Sequence, residues 1–79
     1  MKKIIDKIDI ELMKAINKKG FIYLKELRSK KYYEDYVIMK RVTKLTLLNL
    51  LVIERTGREK RIWLSEDGAT TLKIFQNVD

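Results

Sequence analysis

Apolar residues recur along this chain in two periods, and the change of period divides it into six elements. Ile5, Ile8, Leu12 and Ile16 repeat every three or four residues, which predicts a helix with one apolar face that Gly20 ends. Asp6 or Asp9 is placed to cap it. Ile4, Ile10 and Met13 fall outside that stripe, so water is expected on less than half of the circumference. That width suits a helix covering both its own core and a second subunit. Phe21, Ile22 and Tyr23 make a short extended segment, Leu24 and Leu27 share a face of a brief helix, and Lys30 and Lys31 fall in a turn. From about Tyr33 to Leu48 the helical period returns through Ile38, Val42 and Leu45, with Lys40, Arg41 and Lys44 mostly off that stripe. The last helix starts at Ser65, a good N-cap, with Glu66 and Asp67 where carboxylates suit the helix dipole. Ala69, Leu72 and Phe75 give it an apolar face.

Between the last two helices the period shortens. Leu50 to Leu64 reads LLVIERTGREKRIWL, two apolar runs around a charged turn. Val52, Ile53, Ile62 and Trp63 favour extended chain, and Gly57 accepts a positive φ without steric cost, so the stretch predicts a β-hairpin. Its tip carries Arg55, Arg58, Lys60 and Arg61 against Glu54 and Glu59.

Charge turns this plan toward a partner. The chain has 18 Lys and Arg against 11 Asp and Glu, a net +7 on 79 residues, which makes nucleic acid the leading partner class over a plain surplus of surface lysine. The length allows a single domain, 1–79, with a small core for a lone monomer, so dimerisation is expected. The absence of cysteine and histidine removes disulfides, zinc fingers, thiol nucleophiles and imidazole acid–base chemistry. Carboxylates are scattered, with Asp6, Asp9 and Glu11 better explained as cap and solvent face, so no enzyme, metal or cofactor is expected. The longest apolar run, Leu47 to Ile53, is far short of a membrane span, and nothing at the amino terminus resembles a secretory signal. An intracellular, cytoplasmic location is expected.

The order helix, short strand, helix, helix, basic hairpin, helix is an α+β, mostly helical plan, and it resembles the winged helix-turn-helix. Val42 to Ser65 looks like the third helix, wing and following helix start of the MarR-, ArsR- and PadR-like regulators. Val42 and Leu45 fit the helix, Leu50 and Leu51 the first wing strand, and Leu64, Ser65 and Gly68 the closing motif. The resemblance covers about two-thirds of the chain. Small winged-helix proteins of archaea and their viruses are similar in size and in lysine- and isoleucine-rich composition, which would put a viral member in host cytoplasm. Asn49 stands where the family usually has glycine, and asparagine tolerates the left-handed conformation.

The resemblance implies a homodimer that binds double-stranded DNA and regulates transcription, with the helix at about 33–48 in the major groove and a wing at 54–61 on the adjacent backbone or minor groove. Tyr33, Tyr36, Lys40 and Lys44 then form one reading stripe, with Arg41 beside it, although core or dimer packing competes for the tyrosines. Arg58 and Lys60 are the expected wing contacts, whereas Arg55 and Arg61 compete between DNA and cross-strand pairs with Glu54 or Glu59. Trp63 is expected to pack. Glu34 and Asp35 would repel a phosphate backbone unless they accept from cytosine amino groups, face Arg28, Lys30 or Lys31, or face away, and of these the salt bridge is the favoured reading. Ile4, Ile10, Met13, Leu72, Ile74 and Phe75 are the expected dimer surface, and no pocket for a small effector is evident. Roughly five phosphate contacts per protomer would give a dimer a log–log salt slope of about −9. A sequence-tolerant architectural binder and a protein-interaction module are the alternatives.

Overall fold

In the computed structural model, which describes residues 4–29 and 33–76, the first helix, α1 (Lys7–Lys19), starts with a reciprocal cap. The Asp6 carboxylate accepts from the Asp9 backbone N–H at 3.1 Å, and the Asp9 carboxylate accepts from the Asp6 N–H at 3.0 Å. Two donors that a helix end leaves unpaired are thereby satisfied. Gly20 closes α1, its N–H bonded to the Asn17 carbonyl. Next come β1 (Ile22–Tyr23), α2 (Leu24–Ser29) and α3 (Asp35–Leu47). The hairpin strands β2 (Leu51–Thr56) and β3 (Glu59–Leu64) and the helix α4 (Glu66–Gln76) complete the described residues. Among the described residues the element order expected from the sequence is observed: four helices and a small antiparallel sheet.

The sheet runs β1-β3-β2, with Ile22 opposite Ile62 and Ile53 opposite Ile62 on the other side. β1 is therefore the third strand beside the hairpin. The turn is two residues long, and Gly57 at its first position has φ 61°, the sign that a type II′ hairpin turn requires there. Asn49 has φ 63°, so the left-handed residue between α3 and β2 is the asparagine expected to replace glycine.

One core joins all seven elements. Leu12, Met13 and Ile16 of α1 meet Ile22, Leu27, the α3 stripe Ile38, Val42 and Leu45, Leu51 and Ile62 of the hairpin, and Leu72 of α4. Truncating any of these to alanine is worth about 2–5 kcal/mol. Two expected dimer residues belong to this set. Met13 and Leu72 are buried within the monomer, so neither is available to a partner. The reason is angular: residues 9, 12, 13 and 16 follow the three-and-four step of a single helix face, and α4 and β3 cover that face together. Ile5 and Ile8, expected on the stripe, are half-buried, and Ile5 precedes the first turn of α1.

Candidate nucleic-acid interface

α3 exposes a narrow strip. Tyr36, Lys40, Thr43 and Leu47 are open to solvent, with Tyr36 at 68% and Leu47 at 82% of full exposure. Their spacing of four, three and four residues holds them on one line, whereas successive steps of four drift about 40° each around the helix. Lys44, two such steps from Tyr36, has rotated off the strip toward α1, and Arg41 lies further round. Tyr33 precedes the helix altogether. The expected stripe of Tyr33, Tyr36, Lys40 and Lys44 is thus corrected to Tyr36, Lys40, Thr43 and Leu47.

Arg41 and Lys44 have other partners. Arg41 binds the Asp6 carboxylate and lies 3.5 Å from Asp9 Oδ1. Lys44 Nζ donates to Asp9 Oδ2 and, at 2.7 Å, to the Ile4 carbonyl. Asp9 itself is fully buried. Two cations of α3 therefore anchor the start of α1, and their side chains point away from the exposed strip. The Arg41 guanidinium holds the Asp6 carboxyl down at about 2, helped by the Asp9 backbone N–H against the cost of burial. The Tyr33 hydroxyl donates to Glu11 Oε1 at 2.8 Å, which raises its pKa, and its ring packs on the core.

At the amino end of α3, Asp35 forms a two-pronged pair with Arg28 of α2, Nε to Oδ1 at 2.6 Å and Nη2 to Oδ2 at 2.8 Å. The pair lowers the Asp35 pKa and raises that of Arg28. This is the salt bridge expected from the sequence, and it braces α2 against α3. Glu34 occupies the N-cap position, exposed and without a side-chain capping bond. Lys30 and Lys31, the other expected partners, lie outside the described residues.

The hairpin sorts its charges by pairing. Glu54 binds Arg61 across the strands, in register, and Glu59 binds Lys25 of α2 at 3.3 Å. Arg61 also lies 5.6 Å from the Phe21 ring centroid and 5.9 Å from that of Trp63, which holds its guanidinium on the sheet surface. Phe21 and Tyr23 meet edge to face at 5.7 Å, completing an aromatic layer with Trp63. Arg55 lies opposite Lys60, so it has no carboxylate across the strand. Among the described residues, Arg55, Arg58 and Lys60 form no ion pair, and Arg55 and Arg58 are exposed at the tip. The cross-strand pair expected as one alternative for Arg55 is absent, because Lys60 and not a carboxylate lies opposite it. Lys25 is the member of this group that the sequence did not single out.

On the far side, Ile4, Ile74 and Phe75 are exposed and Ile10 is half-buried. Between α1 and α4 lies an open groove of about 320 Å³ lined by Ile5, Asp6, Lys7, Ile10 and Phe75. The expected dimer surface is thereby reduced from six residues to four. Among the described residues no group of three carboxylate, histidine or cysteine side chains could hold a metal ion, and no helix is long and apolar enough to cross a membrane. Comparison with protein-family models, with curated proteins and with solved structures returned no match.

Proposed function

We propose that this chain is a winged helix-turn-helix protein that binds double-stranded DNA as a homodimer and regulates transcription from the site it occupies. In this reading α2 and α3 are the helix-turn-helix pair, α3 enters the major groove, and the β2–β3 hairpin is a wing on the adjacent backbone or minor groove. The observation that carries it is the charge on the hairpin. Both of its carboxylates are taken up by Arg61 and Lys25, so Arg55, Arg58 and Lys60 remain to neutralise phosphates. The net charge of +7 supports the same polyanionic partner.

Ile4, Ile10, Ile74 and Phe75 support a second copy docked over α1 and α4. Such a dimer would set two α3 helices about one turn of DNA apart, ~34 Å, and favour a pseudo-palindromic site. The test is binding to duplex DNA across a range of salt. Three hairpin cations per protomer on phosphates give a dimer a log–log slope of about −5, shallower than the −9 expected before Arg41 and Lys44 were placed. A slope near zero discards the DNA reading.

A further inference from the structure

The exposed strip of α3 is poor in cations, and that poverty bears on which sequence it would read. Three cations lie on this helix, yet Arg41 and Lys44 are held by Asp6 and Asp9, which leaves Lys40 as the strip's single cation. Tyr36 and Leu47 present mostly carbon, and Thr43 presents a methyl group beside its hydroxyl. In the major groove, guanine is read by paired acceptors that call for Arg or Lys, whereas thymine offers a methyl group that apolar carbon covers. From Tyr36 to Thr43 the helix rises about 10 Å, the length of roughly three base-pair steps.

We propose that α3 reads an A·T-dominated half-site, in which Lys40 meets one guanine and Tyr36 and Thr43 cover thymine methyls on either side of it. Leu47 extends the same carbon strip toward the carboxyl end of the helix. This assignment rests on the DNA reading above and adds to it the kind of base pair preferred. The carboxylates of α1 set that preference indirectly, since they withdraw two cations that would otherwise compete for guanine. Glu34 acts in the same direction. Exposed at the head of α3 and without a side-chain capping bond, its carboxylate disfavours a phosphate there and leaves affinity to the hairpin.

The experiment selects bound duplexes from a random library with the full chain, then remakes the selected duplex with deoxyuridine in place of each thymidine, removing only the 5-methyl group. The expected half-site has one G·C pair flanked by A·T pairs, and loss of each contacted methyl weakens binding about fourfold, the worth of one buried carbon. Thr43→Ser keeps the hydroxyl and removes the side-chain methyl. It is expected to abolish sensitivity to deoxyuridine at one position while the other contacted methyl keeps its fourfold effect. Half-sites with two or more required guanines, or indifference to deoxyuridine throughout, would overturn the assignment and leave DNA binding intact. Failure to retain any duplex at low salt would overturn the DNA reading, and this inference with it.

Discussion

The carbonyl group of Leu50 occupies the place where a side chain on residue 68 would begin. A Cβ built on Gly68 lies 3.0 Å from the Leu50 carbonyl carbon and closer still to its oxygen. The same carbonyl accepts the Ser65 N–H at 3.0 Å, and the Ser65 hydroxyl donates to the Asn49 carbonyl at 2.7 Å while accepting from the Gly68 N–H at 2.9 Å. The entry to the hairpin and the start of α4 are thus one junction.

Gly68→Ala is expected to destabilise the protein by about 3 kcal/mol, the upper part of the range for overpacking, because backbone and not a flexible side chain must move. Thermal or urea unfolding of the variant measures it. An unchanged midpoint would mean that α4 slides to make room.

Asp9→Ala removes the buried carboxylate from between Arg41 and Lys44. Stranding a fully buried charge costs about 3–5 kcal/mol, but these cations keep roughly a fifth and a third of their side-chain exposure, so about 2 kcal/mol is expected. A loss below about 0.5 kcal/mol in urea titration would place the network with solvent-screened surface pairs.

Acid should loosen the same contact. The folded Asp6 carboxyl titrates near 2, below its ordinary value near 3.9, so its contribution is fully present above about pH 4. It is lost as pH falls toward 2. Asp35, lowered by Arg28, adds in the same direction. Melting temperature is expected to decline from pH 5 to pH 2, and Arg41→Met is expected to flatten that decline. Parallel curves for the two proteins would refute the Arg41–Asp6 assignment.

Replacing Arg55, Arg58 and Lys60 together by alanine is expected to weaken a selected duplex and random DNA alike and to bring the salt slope close to zero. Lys40→Ala should instead cost the selected site ~1–3 kcal/mol more than random DNA. Binding isotherms on both duplexes distinguish the cases, and equal losses from Lys40→Ala would identify a sequence-tolerant architectural binder.

Charge on the α1–α4 face tests the dimer. Ile74→Glu with Phe75→Glu is expected to leave the fold intact and shift sedimentation to the monomer, because both side chains are exposed. Met13→Ala should cost stability of about 2–5 kcal/mol whatever the assembly state. A wild-type chain that sediments as a monomer at high concentration would reject the second copy.

Much of the architecture was legible because local rules and packing agree. The apolar periods located every helix, Ser65 and Gly20 sit at helix ends, and Gly57 and Asn49 have the positive φ their neighbours demanded. The pairing of Asp35 with Arg28 was also readable, since only seven residues separate them. Asp9 takes part in the cap as its position suggests, whereas its full burial is not legible from the sequence alone. With Leu12, Met13 and Ile16 it completes one helical face, but a carboxylate there counts as core only if cations are known to reach it.

By itself the sequence determined the number and order of elements, the hairpin turn and a positive charge in excess, because periodicity, capping and turn chemistry act over a few residues. Only the tertiary structure decided which cations of α3 and the hairpin are paired among the described residues. Arg41 and Asp6 are 35 residues apart, as are Lys44 and Asp9, while Lys25 meets Glu59 from a different element. Such pairs form when packing brings separate elements together, since Coulomb attraction and hydrogen bonding act over ångströms of space and not along the chain. That is why Tyr36, Lys40, Arg58 and Lys60 remain of the seven candidates the sequence offered, and why Thr43, Leu47 and Arg55 join them.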